Sequence, residues 1–210
     1  IPFAGAHQFK SQKEIDLLEK VYKQLEAGKP ARLLEYNEDE MNILKDLHLL
    51  SMKPILYVVN TDELQIADFR LPNIENEASQ INISAKLEAE LAELSEEDAK
   101  EYMKELGMEQ SGLDKLIKES YKLLDLVTFL TSGEPETRAW AVKKGTKGPQ
   151  AAGVIHTDFV KGYIKADVCN WQDFVQFNGW SGIKESGKLR LEGKEYIVED
   201  GDVIYFHVGN

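Results

Sequence analysis

Cysteine is nearly absent from this chain. Cys169 is the only one in 210 residues, which excludes an intrachain disulfide and any cysteine-built metal cluster and fits a reducing compartment. Beside an apolar strand, it reads as a buried structural thiol rather than a nucleophile. No apolar run approaches the roughly 20 residues that a membrane helix needs. The start, IPFAGAHQF, has no basic region and is too short for a signal peptide. His7, His48, His156 and His207 are scattered and suggest no metal site. There is no internal repeat, no low-complexity segment and no G-x-x-x-x-G-K-[ST] motif. GTKGPQ and GKPARL lack the spacing, and neither leads from a strand into a helix. A phosphate-cradling loop and an assignable Mg2+ ligand are therefore missing from the sequence.

Basic charge is also in short supply. Lys and Arg number 25 against 37 Asp and Glu, a net charge of −12. The deficit is uneven. Residues 1–127 carry 15 basic against 26 acidic side chains, a net of −11, and residues 128–210 carry 10 against 11, a net of −1. The shift predicts a boundary near residue 127. It also assigns any nucleic-acid contact to the second half, because the acidic half repels phosphate at long range.

What is present begins with helices. Ser11 and Glu14 form an S-x-x-E capping box before Ile15, Leu18, Tyr22 and Leu25, an apolar face at helical spacing that Gly28 and Pro30 end. Asn37 with Glu40 predicts a second start, followed by Met41, Leu44, Leu47 and Leu50. Lys53 to Asn60 is a short apolar run that reads as a strand buried on both faces, as in a parallel sheet. Gln80 to Ile83 repeats the pattern. Helices are expected over 95–107 and 111–126, with Leu113, Leu116, Ile117, Tyr121 and Leu124 as core positions.

Each strand ends in a polar motif: Asn60-Thr61-Asp62-Glu63 after the first, Ser84-Ala85-Lys86 after the second. In α/β sheets, ligands bind beyond the carboxyl ends of strands. Guanine-nucleotide-binding domains end two strands with N-K-x-D and S-A-K. The first reads the base edge through amide and carboxylate, and the second closes on it with backbone N–H and a lysine stem. Here S-A-K is intact, whereas the first motif is N-x-x-E. Lengthening Asp to Glu moves the acceptor that would otherwise penalise adenine. Either motif alone reads as a structural turn.

From Val127 the period changes to strands: VTFLT, RAWAVK, GYIKADV, EYIVED and VIYFHV. A short helix opens at Pro149, a residue suited to a first helical turn, and two more helical stretches lie near Trp171–Phe177 and Ser181–Gly187. Within 138–165, Arg138, Lys143, Lys144, Lys147, Lys161 and Lys165 oppose only Asp158, a local excess of +5. Trp140, Phe159 and Tyr163 are interleaved and offer faces for base stacking. A solvated lysine face and a hydrogen-bonded His156 are the plain alternatives to an RNA contact.

The run KKGTKGPQAAGVIHTDFVKGYI resembles the TGS domain, a ubiquitin-like (β-grasp) module, and specifically the one that ends the Obg-like ATPases, the YchF family of P-loop NTPases. ELSEEDAKEYMKELGMEQSGLDKLIKESYKLL resembles the end of that family's nucleotide domain. The likeness spans roughly residues 17–210. It implies an α/β architecture: a helical coiled-coil arm remnant over 1–40, the last part of a P-loop NTPase-type parallel sheet over 41–126, and a β-grasp TGS domain over 127–210. It further implies a longer cytoplasmic protein that hydrolyses ATP, or GTP, with Mg2+ and associates with the ribosome. Neither membrane nor DNA is an expected partner. Asn60, Thr61, Glu63, Ser84, Ala85 and Lys86 would hold the base. Arg138, Lys143, Lys144, Lys147, His156 and Lys161 would meet ribosomal RNA or protein. No catalytic residue is carried over. The competing reading is a nucleotide-independent adaptor.

Overall fold

The computed structural model describes residues 11–62, 70–71, 79–134 and 136–209. The chain divides into two compact units, one up to Ile55 and one from Leu56 onward.

The first unit is helical. Helix α1 (Gln12–Glu26) starts at Ser11, whose hydroxyl accepts the Glu14 N–H. Its core side is Leu17 and Val21, packed with Ala31 and Leu44. The predicted face is therefore turned: Leu18 packs at the margin, while Ile15, Tyr22 and Leu25 are exposed. The helix carries two apolar stripes, and contact with the turn at Ala31–Leu33 and with helix α2 (Glu38–Lys45) selects one. The Asn37–Glu40 capping box is complete, with reciprocal bonds of 2.9 and 2.8 Å. Helix α2 ends sooner than the apolar spacing suggested. His48 takes a left-handed φ of 47° where the chain turns, and Leu47 and Leu50 stay exposed.

The second unit holds two sheets. Strand β1 (Leu56–Asn60) pairs parallel with β2 (Ser79–Ile83), Asn60 beside Ile83. Helices α3 (Ala85–Glu93), α4 (Glu96–Glu105) and α5 (Gly112–Leu123) follow, each opened by a serine cap. Two burial expectations fail here. Val58 of β1 is 45% exposed, so the strand is not buried on both faces. Of the predicted core positions in and just after α5, Leu113, Ile117 and Leu124 are exposed, and only Leu116 and Tyr121 are half-buried. Among the described residues, β1, β2 and the helices beside them leave these apolar positions uncovered.

The larger sheet comprises β3 (Leu126–Ser132), β4 (Thr137–Lys143), β5 (Tyr163–Asn170), β6 (Arg190–Glu192) and β7 (Asp202–Val208), in the order β4-β3-β7-β5-β6. Only β3 and β7 run parallel. Helix α6 (Gly148–Ile155) supplies Ala151 and Ala152 to a core of Phe129, Val142, Tyr163, Ala166, Val168, Val198 and Ile204. The short helix α7 (Asp158–Gly162) then leads into β5. On the other face, α8 (Trp171–Gln176) and α9 (Trp180–Glu185) enclose Cys169, Ile183 and Val203. EYIVED is not a strand. The fourth strand is Arg190–Glu192, and Ile197 makes only a single bridge to Lys147. Side-chain bonds hold that loop instead. The buried Asp202 accepts from Arg190 (2.8 Å), Tyr196 (2.6 Å) and the Glu199 N–H (2.9 Å).

Candidate functional site

The parallel pairing of β1 and β2 brings both polar motifs to one end of the small sheet. The Asn60 side-chain oxygen accepts the Ala85 N–H at 3.0 Å. Thr61 donates its N–H to the Ile83 carbonyl at 2.8 Å, with its hydroxyl at 3.5 Å from the same oxygen. Ser84, 3% exposed, caps α3 through the Leu87 N–H. Lys86 is largely solvent-exposed and lies 3.6 Å from Glu90. Asn60, Thr61, Ser84, Ala85 and Lys86 are thus brought together, and Glu63 lies outside the described residues. The arrangement is a carboxamide locked between two strand ends beside the first turn of a helix. Among the described residues, the N–H groups of Thr61, Ala85 and Leu87 are bonded within this arrangement, and Lys86 is the exposed cation beside it.

Sequence reading missed a support beneath this site. The Glu88 carboxylate, one turn into α3, accepts the Gly112 and Leu113 N–H groups at 2.6 and 3.1 Å and so caps α5. A side chain at Gly112 has no room, because a Cβ there would lie 2.7 Å from Ile83 Cγ2. A carboxylate 24 residues from its partner leaves no local sequence signal.

The proposed ribosome-facing residues are dispersed over β4, the α6 loop and α7. Arg138 lies over the Trp140 ring at 4.2 Å. Lys143 donates to the Leu124 carbonyl, and Lys147 pairs with Glu195 at 2.6 Å, so both already have partners within the chain. Lys144 and Lys161 are exposed. His156 ends α6, where its Nδ1 accepts the Asp158 N–H at 3.3 Å. The stacking expectation is overturned for Tyr163, which is 2% exposed inside the core; Trp140 and Phe159 pack against that core. Strand alternation turned Trp140 and Tyr163 inward, and Phe159 packs from α7, facts that their spacing among cations concealed. Cys169 is buried at 1% exposure, and burial, followed by Asp173 and Asp202, pushes its thiol up to about 11. That makes it unreactive, as its apolar context implied. Among the described residues no acidic, His or Cys cluster could hold a metal ion, and no helix is long and apolar enough to cross a membrane.

A family model described as a protein of unknown function (DUF933), YchF-GTPase_C, matches residues 126–209. The chain is 46% identical over 202 residues to the ribosome-binding ATPase YchF of Bacillus subtilis, covering 92% of this chain and 55% of that protein. The chain belongs to the YchF family. The Obg-like ATPase 1 of Caenorhabditis elegans is 41% identical over 214 residues, covering 97% of this chain and 54% of that protein. The YchF GTPase structure from Schizosaccharomyces pombe superposes with a TM-score of 0.80 at 33% identity, over 99% of this chain and 58% of that one. The chain thus spans little more than half the length of the relatives it matches, a C-terminal portion that includes the domain at 126–209.

Proposed function

We propose that this chain supplies the base-recognition end and the C-terminal docking domain of a cytoplasmic, ribosome-associated Obg-like protein that hydrolyses ATP, with GTP as the other candidate. The division proposed is a helical arm remnant over 1–40, the last part of the nucleotide domain over 41–126 and a β-grasp TGS domain over 127–210. The observation that carries it is the 3.0 Å bond from Ala85 N–H to Asn60, which joins the two motif-bearing strand ends. Asn60, Thr61, Ser84, Ala85 and Lys86, with Glu63, would hold the base. Phosphates and Mg2+ would rely on residues that this sequence does not contain. Arg138, Lys143, Lys144, Lys147, His156 and Lys161 would face the ribosome, with Lys144 and Lys161 contributing most because Lys147 already has a carboxylate.

The test is a chimera in which this chain replaces the matching part of the Bacillus subtilis relative. Asn60→Ala should weaken nucleotide binding about tenfold by calorimetry, the loss of one oriented polar contact. Glu63→Asp should move preference toward GTP. Lys143, Lys144 and Lys147 changed together to Ala should reduce cosedimentation with ribosomes and lower its salt dependence, by up to about one log–log unit per lost phosphate contact. The 210-residue chain alone should turn over no ATP. Unchanged nucleotide affinity in Asn60→Ala would remove the base-site reading, and magnesium-dependent turnover by the isolated chain would contradict the division of labour. Ribosome binding without any nucleotide effect would favour the adaptor.

A further inference from the structure

Strand β4 is one edge of the five-stranded sheet, and among the described residues no strand pairs with its outer side. The phase of its ladder fixes which backbone groups point outward. Lys144 N–H bonds the Asp125 carbonyl at 2.8 Å, and Gly133 N–H bonds the Glu136 carbonyl at 3.1 Å. Both pairs continue the β3–β4 register. Hydrogen-bonded and non-hydrogen-bonded pairs alternate in an antiparallel ladder. The backbones of Arg138, Trp140 and Val142 therefore bond β3, and those of Thr137, Ala139, Ala141 and Lys143 point away from the sheet. The 2.9 Å contact between the Ser132 and Thr137 hydroxyls fits the closer, non-hydrogen-bonded pair.

The usual guards of an edge are missing or turned aside. The register of β4 has no bulge and its sequence no proline. Lys143 turns back to Leu124, and Arg138 lies on Trp140. Ala139 and Ala141 are exposed and leave the backbone accessible. The opposite edge, β6, is only three residues long.

Charge is polarised along this edge. Glu134 and Glu136, both exposed, precede the strand, and Lys143 and Lys144 end it. Laid antiparallel against itself, β4 sets its acidic start against its basic end. Centring on Trp140 pairs Ala139 with Ala141 and Thr137 with Lys143, so that outward groups meet outward groups, and it places Glu136 opposite Lys144. A shift that centres the pairing on Ala141 would oppose Arg138 and Lys144. Centring on Ala139 would leave Glu136 opposite Val142. We propose that β4 pairs antiparallel with β4 of a second copy, centred on Trp140, extending the two sheets into one across a two-fold axis. The contact is a single strand pair, smaller than a stable interface, so the dimer is weak, with a Kd on the order of 100 μM. This goes beyond the proposed function and does not depend on it. Lys144 serves the second copy or a phosphate, not both.

Sedimentation equilibrium of the 210-residue chain, from roughly 10 μM to 1 mM, should show a monomer–dimer equilibrium. Ala139→Pro removes an outward N–H without touching a bond to β3 and should weaken the dimer about tenfold or more. Glu136→Lys and Lys144→Glu should each weaken it, and combining them should restore it, a rescue that misfolding cannot imitate. A chain monomeric throughout, or a dimer indifferent to all these changes, overturns the proposal. So do Ala139 and Ala141 amide signals that shift with added oligouridylate or polyglutamate but not with protein concentration.

Discussion

The two sheets of the second unit differ in how completely each buries its innermost side chains, although both leave apolar residues exposed, Ile164 and Leu191 among them in the larger. The parallel pair β1–β2 leaves Val58 at 45% exposure, and the adjoining α5 leaves Leu113 at 56%. The five-stranded sheet buries Phe129 and Val168 completely and Ile204 to 1%. Helical cover explains the contrast. Helix α6, with the small residues Ala151 and Ala152, lies close on one face of the larger sheet, and α8 and α9 lie on the other. A parallel pair likewise needs cover on both faces. The C-terminal sheet therefore closes its core between helices, while the small sheet also carries polar clamps: Asn60 to Ala85 and Glu88 to α5.

The strongest way to break the comparison is a matched truncation in each sheet. Phe129→Ala should cost about 3–5 kcal/mol in urea unfolding, since it empties a closed core and removes an edge-to-face contact with Phe206. Val58→Ala should cost under about 1 kcal/mol. Similar costs for the two would erase the distinction.

Alkali should separate the regions next. The Cys169 thiol is pushed up to about 11 from an ordinary value of 9.0 by burial and then by Asp173 and Asp202. A raised folded value means that the fold favours the neutral thiol. That contribution is complete below pH 9 and is lost as the pH rises through 11, by about 3 kcal/mol. Burial also raises Tyr163 and Tyr196, which adds loss in the same direction. Stability measured across this window should fall less in Cys169→Val than in the parent. Parallel curves would remove the thiol from the account.

The smallest effect sharpens the view of the small parallel sheet. Glu88→Gln weakens the clamp on the α5 N-terminus by about 1 kcal/mol, the difference between charged and neutral acceptors. Faster hydrogen exchange should appear at Gly112 and Leu113, with Phe129 unaffected. Unchanged exchange at those two amides would show that the clamp is not what holds α5.

Much of this fold was legible before any coordinate. The caps at Ser11, Asn37, Ser95 and Ser111, the strand ends at Asn60 and Ile83, the helix at Pro149 and four of the five C-terminal strands follow from local rules. That Asn60, Thr61 and Ser84 to Lys86 end neighbouring strands was legible too, as polar motifs after two apolar runs. The errors share a cause. Leu17 and Val21 rather than Ile15 and Tyr22, Tyr163 inside rather than stacked outside, and EYIVED as a tied loop all depend on what a segment meets across space.

Sequence by itself determined where most helices start and most strands lie, because capping and period-two signals act over a few residues, whereas the end of α2 and the place of β6 escaped it. It also determined the family, through long matching runs. Tertiary structure alone decided which of two apolar stripes on α1 is buried, that Asn60 is locked to Ala85, that Glu88 caps α5, and that the outward backbone of β4 is carried by Ala139 and Ala141. The physical reason is that burial and hydrogen-bond pairing are settled between segments far apart in the chain, where no local pattern records the partner.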